Sequence, residues 1–238
     1  MRNLFFIAAF LVLVFSDLAC AGVFDRIKEQ VGIPSEQGLD SDTVVSGLKE
    51  ALSVGTENAV KTVSQVNGYF GNEMIKITMP EKIQMVTDVL AKAGYQKQVD
   101  EFILSMNRAA ERAAPQAASI FGSAIKNMTL EDARGILNGG GTAATDYFKE
   151  ETSDEIYDAF KPIISSTMNE VGVTRSYKQM MDTYTSLPFT SLQSLDLDHY
   201  VTDRALDGLF HVLAQEEKKI RTDPVARTTD LLKKVFGK

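Results

Sequence analysis

The 238-residue chain has one cysteine, two histidines and fewer basic than acidic residues, which leaves a net charge of −7. Each scarcity removes a class of function. The single cysteine, Cys20, sits in an N-terminal apolar segment. If that segment is cleaved, disulfides, thiolate catalysis and cysteine-ligated metals go with it. His199 and His211 stand too far apart for a helical zinc pair, and without cysteine a structural zinc site must draw on several carboxylates. No metal and no cofactor are therefore expected. The acidic balance opposes a polyphosphate partner overall, so no nucleic-acid role is expected. A G-x-S-x-G nucleophile elbow is missing. There is no tandem repeat, no low-complexity tract and no linker long enough to force a domain boundary.

The N-terminus carries the first positive signal. "MRNLFFIAAFLVLVFSDLACA" has a basic Arg2, an apolar run from Leu4 to Phe15, and a small-residue exit with Ala19 and Ala21. This pattern predicts a secretory signal peptide cut after Ala21. The run falls short of the roughly 20 residues that span a bilayer as a helix, so no transmembrane anchor is expected after processing. Lipidation at Cys20 is the alternative, but Asp17 occupies the place where such a signal wants an apolar residue. The expected organisation is a signal peptide at 1–21, a flexible leader at 22–42 and a helical domain at 43–238, in the periplasm.

Hydrophobic residues make up 44% of the chain, ample for a packed core, and they recur with helical period. Val45, Leu48, Leu52, Ala59, Val63 and Val66 mark one amphipathic helix, with Thr43 as its N-cap. Ile75, Ile77 and Met79 alternate with polar residues over too few positions for a sheet, and predict an extended link. Pro80 opens the next helix, with Ile83, Val86, Leu90 and Ala93 as its stripe and Gly94 as its end. Val99, Phe102, Ile103, Met106, Ala110 and Ala113 share a face, broken near Ala114 by Pro115. The stripe resumes through Ala117, Ile120, Phe121, Ala124 and Met128.

Thr129 with Asp132, and Thr152 with Glu155, look like capping-box starts. Ile156, Phe160, Ile163 and Val171 follow, with Pro162 as a kink and Gly172 as a stop. A short segment around Tyr177–Tyr184, an irregular loop, a long helix carrying Leu206, Leu209, Phe210, Leu213 and Ile220, and a final one with Leu231, Leu232, Val235 and Phe236 complete the chain. The fold class is all-α, a single domain of about eight to ten helices.

Four stretches invite a chemical reading. In "ILNGGGTAATDYF" three glycines precede a helix, yet after Gly141 the places of the lysine and the hydroxyl residue of a phosphate-binding loop hold Thr142 and Ala143, and the preceding "EDARGIL" is helical rather than a strand. The stretch predicts a helix-to-helix turn with glycines at positive φ and Thr142 as cap, while Gly140, Gly141 and Thr142 remain a candidate anion site. "SLDLDHYVTDRALDG" places Ser194, Asp196 and Asp198 like the start of a calcium loop, but His199 stands where glycine is needed and Ala205 where the closing Glu belongs. An acidic N-cap is the reading preferred there. "SMNRAAERAA" sets Asn107 near a buried ridge with Arg108 and Glu111 beside it. These three are the candidate ligand-binding residues, as a polar pocket between helices or as a packing-fixing cluster with an Arg108–Glu111 pair. "AQEEKKIR" reads as a solvated charged face, and His211 as a partly buried helix histidine.

The peptides "GLKEAL", "NGYFGN", "PEKI", "LSMNRAAERAAPQA", "MTLEDARGILNGG", "ATDYF" and "YVTDRALDGLFHVLAQEEKKIRTDP", in this order, resemble the bacterial domain-of-unknown-function family DUF4197. The resemblance implies an exported, helical protein of Gram-negative-type bacteria and brings no activity or catalytic residue with it. His199 departs from the glycine common in that family. The function expected is that of a soluble periplasmic binding or interaction module without catalytic activity, whose partner is a small molecule or an envelope protein. The alternatives are an envelope enzyme using Asn107, Arg108 and Glu111, with Glu111 as acid or base, and a purely structural partner protein.

Overall fold

The computed structural model describes residues 41–170, 196–227, 229, 230 and 233. The expected signal peptide, Cys20, most of the leader, the segment around Tyr177–Tyr184, Ser194 and the apolar residues of the final helix lie outside the described residues. Within them every regular element is helical and no strand occurs. The α-helices are α1 (Ser41–Ser64), α2 (Glu81–Leu90), α3 (Gln96–Ala113), α4 (Ala117–Asn127), α5 (Leu130–Asn138), α6 (Ala143–Glu170) and α7 (Leu197–Thr222).

The described residues form these seven α-helices, against the eight to ten expected of the whole domain, and one expected helix start is missing among them for a specific reason. Thr152 does not start a helix. It lies inside α6, and its buried hydroxyl donates to the Phe148 carbonyl one turn back, at 2.5 Å. A threonine that bonds backwards in this way is compatible with an uninterrupted helix. The helix also continues through Pro162. At Thr129 the expected cap is present. Its N–H donates to the Asp132 carboxylate at 2.9 Å and the Asp132 N–H donates to its hydroxyl oxygen at 3.1 Å. The Thr129 hydroxyl, then its N–H, hold the Asp132 carboxyl below its ordinary value.

Pro115 breaks the helix where expected, with a 3-10 turn over Ala114–Gln116 separating α3 from α4. Gly94 takes φ 95° in the tight turn between α2 and α3, a conformation open to glycine at little cost. Val66 departs from its expected place on the α1 stripe. It lies past the end of α1 and is exposed. Thr43 falls within the first turn of α1 rather than ahead of it.

α6 packs against α3, α4 and α7, and α1 against α4 and α7. The fully buried Ala109, Ala110, Ala113 and Ala114 give α3 a low surface, on which facing side chains can come close. Phe121 of α4 meets Phe148 of α6 edge-on at 5.0 Å and Phe210 of α7 at 6.1 Å. Edge-to-face aromatic pairs of this kind add about 1 kcal/mol each beyond their burial.

Residues 65–80 cross from α1 to α2 without regular structure, yet they belong to the core. Tyr69, Ile75, Ile77 and Met79 are all buried. Ile75, Ile77 and Met79 face inward while Lys76 and Thr78 are more exposed, as in an extended chain with period two. Gly208 of α7 makes this crossing possible. A Cβ there would lie 2.5 Å from Cε1 of Tyr69 and 3.2 Å from Cβ of Ile75.

Candidate functional site

Asn107, Arg108 and Glu111 do come together on α3, and their partners are in the crossing segment. Asn107 is completely buried, and its amide oxygen accepts the Ile77 N–H at 2.9 Å. Its amide nitrogen donates to the carbonyls of Ile77 and Ile103, both at 2.8 Å. One side chain thus treats Ile77 as a neighbouring strand would. Glu111 accepts the N–H groups of Tyr69 and Phe70, at 3.2 and 3.3 Å, and the Arg108 guanidinium at 2.5 Å. Arg108 also donates to the Asn67 side chain at 2.7 Å, and Asn67 holds φ 67°. The Tyr69 hydroxyl, from the other side, donates to the Ala205 carbonyl of α7 at 2.6 Å. Burial, then the nearby Glu111 charge, pushes the Tyr69 phenol far above its ordinary value.

The glycine turn contains a different arrangement from the expected one. α5 ends at Asn138, and neither Gly139, Gly140 nor Gly141 has positive φ. Gly139 is required by space instead: a Cβ there would lie 2.5 Å from Cβ of Ala143 and 2.8 Å from the Gly135 carbonyl oxygen, whereas Gly140 and Gly141 face open room. The Thr142 hydroxyl donates to Asp146 at 3.0 Å. The first turn of α6 does receive an anion, and it comes from within the chain. Glu217 of α7 accepts the N–H groups of Ala144 and Thr145 at 3.0 and 2.9 Å, and the Thr145 hydroxyl at 2.8 Å. Arg221 donates to the same carboxylate and to the Ile136 carbonyl of α5, each at 2.9 Å. The adjacent cavity, about 30 Å³, admits water but no larger ligand.

The "AQEEKKIR" stretch is therefore not a solvated face throughout, because Glu216 and Glu217 are 8% and 7% exposed. The signal was present in the spacing. Glu217 follows Leu213 by four residues and precedes Ile220 by three, which places it on the buried ridge. The acidic start of α7 behaves as the N-cap reading expects, with Asp196 accepting the His199 N–H at 3.0 Å. Among the described residues no three or more His, Asp or Glu side chains converge in a way that could hold a metal ion.

An open cleft of about 720 Å³ lies between residues 74–81 and α7. No local sequence pattern marks it, since its two walls are far apart in the chain. Ile75 and Gly208 are among its lining, and its polar rim includes Lys76, Glu81, Asp196, His199, Asp203, Arg204, Asp207 and His211. Tyr157 of α6 bonds His199 Nδ1 at 2.7 Å, and His199 Nε2 faces Asp203 at 3.2 Å. Arg204 pairs with Asp207 at 3.3 Å and lies over the Tyr200 ring. Tyr200 donates to the Thr78 carbonyl at 3.0 Å, and its phenol is raised mainly by burial.

The family model described as "Protein of unknown function (DUF4197)" matches residues 38–237, and the chain belongs to that family. No curated protein and no solved structure matches it.

Proposed function

We propose that this member of the DUF4197 family is a non-catalytic binding module of the periplasm, exported by a signal peptide at 1–21 that is cut after Ala21. We place its ligand in the cleft between residues 74–81 and α7. One observation carries this reading. The cleft is open, ligand-sized and rimmed by charged side chains, whereas Asn107 and Glu111 spend their hydrogen bonds on the backbone of the crossing segment. An acid–base role for Glu111 would require it to release Tyr69 and Phe70, and so to unfasten the wall of the same cleft. Among the described residues no helix is long and apolar enough to cross a membrane.

Native mass spectrometry of the protein purified from its own periplasm tests this reading. The expected spectrum shows a mature chain starting at Gly22 and carrying a retained ligand, which is lost when Asp203 and Asp207 are both replaced by Asn. A ligand that stays bound to that double variant, or a chain that carries none, would overturn the cleft assignment. A lipid-modified Cys20 would overturn the assignment to the soluble periplasm.

A further inference from the structure

We infer that the cleft receives an extended peptide segment bearing lysine or arginine, which pairs as an added strand with the backbone of Lys76 and Thr78. This rests on the cleft being the ligand site.

The first ground is an unfinished strand edge. Asn107 occupies both backbone groups of Ile77 from the core side. In an extended chain the backbone groups of successive residues point to opposite edges, so those of Lys76 and Thr78 point away from Asn107. That edge faces α7, because the Thr78 carbonyl accepts the Tyr200 hydroxyl there. Lys76 N–H is turned back to the Asn72 carbonyl at 2.8 Å. Among the described residues, no group takes the Thr78 N–H or the Lys76 carbonyl. In a parallel ladder one residue of an incoming strand bonds the carbonyl of one residue and the N–H of the residue two further on. Lys76 and Thr78 have that spacing, and pairing of this kind is how exposed edges capture peptides.

The second ground is charge. The cleft has four carboxylates, Glu81, Asp196, Asp203 and Asp207, against two fixed cations, Lys76 and Arg204. Lys76 lies over the Phe70 ring at 4.5 Å and Arg204 is divided between Asp207 and the Tyr200 ring, while Asp203 faces His199 and Asp196 caps α7, so the carboxylates still outnumber the fixed cations by two. A cationic occupant is favoured and an anionic one repelled. The spacing agrees as well. Asp203 and Asp207 are four residues apart on α7, about 6 Å along the axis, and alternate side chains of an extended peptide are about 6.8 Å apart. Two basic side chains on one face of the peptide can therefore meet both carboxylates.

Fluorescence anisotropy on the full mature chain tests this with a nine-residue peptide of alternating lysine and valine, its glutamate counterpart, and two N-methylated forms, one methylated at every lysine and the other at every valine. The lysine peptide should bind, with affinity falling as salt rises, and the glutamate peptide should not. One methylated form should lose binding and the other keep it, because only alternate N–H groups of an added strand face its partner. Asp203→Asn with Asp207→Asn should weaken the lysine peptide by about tenfold or more, while Glu150→Gln on α6 should not. Equal binding by both methylated forms would overturn strand pairing, and absence of lysine-peptide binding would overturn the assignment outright. If a retained small molecule then leaves with the Asp203 and Asp207 changes, the cleft reading stands and the peptide assignment falls. If nothing is retained either, both fall.

Discussion

The Glu217 carboxylate, on α7, is seated on the N–H and hydroxyl of Thr145 in the first turn of α6, at 2.9 and 2.8 Å. A helix start has unpaired N–H groups and a partial positive charge, so it attracts an anion. Here the anion is built in, and Arg221 balances it while also binding the end region of α5. Three helices are joined at one carboxylate.

Replacing Glu217 with Ala should therefore lower stability by about 3 kcal/mol, since it strands buried N–H groups and leaves Arg221 unpaired. The vacated site should then accept an external anion. Phosphate is expected to raise the Tm of Glu217→Ala and to leave that of the parent unchanged. An equal rise in both proteins would mean that the parent binds phosphate elsewhere.

The three glycines of the turn should behave differently from one another. Gly139→Ala must push Ala143 or the α5 backbone aside, for a cost of about 1–3 kcal/mol. Gly140→Ala and Gly141→Ala meet open space without positive φ, and should fall within about 0.5 kcal/mol of the parent. Urea midpoints of the three variants decide this. A uniform loss would point to backbone strain shared along the turn.

Asn107→Leu should cost about 3 kcal/mol, because it strands the Ile77 N–H and carbonyl in the core. Asn107→Asp keeps the shape but turns an acceptor toward the Ile77 carbonyl, so it should recover little near neutral pH. If Asn107→Asp matched the parent in denaturant titrations, the amide would not be what fastens Ile77 to α3.

Tyr69 sets an alkaline limit. Its phenol is raised in the fold and ionises near the ordinary value of about 10 when unfolded. Above that value the unfolded chain loses a proton that the fold retains, so stability should fall with rising pH from about 10 upward. Tyr69→Phe should be less stable at neutral pH, having lost the bond to Ala205, but its stability should decline less steeply through that range. Parallel slopes for parent and variant would assign the alkaline loss to other groups.

Much of the helical architecture could be read from the chain. The apolar residues that recur at helical spacing on α3, α4 and α7 are mostly those in the core, and the Thr129–Asp132 cap and the break at Pro115 depend on residues only a few places apart. Local chemistry determines such features. Thr152 was misleading because the same threonine can cap a helix or bond backwards inside one, and only the surrounding packing chooses. The candidate site was legible in part. Asn107, Arg108 and Glu111 were recognisable as a polar cluster on a buried ridge, but their partners lie 30 to 42 residues away, and periodicity says nothing about which distant backbone a side chain meets.

Residue order alone is enough to show that the described chain is helical, which faces of most of its helices are buried, and to which family it belongs. Tertiary structure alone decided that Glu217 is the anion at the start of α6, that Gly139 and Gly208 are needed for space, and that residues 74–81 form a cleft with α7. The reason is physical: a helix face is written in neighbours three and four residues apart, whereas each of these relations depends on how closely two elements far apart in the chain are packed.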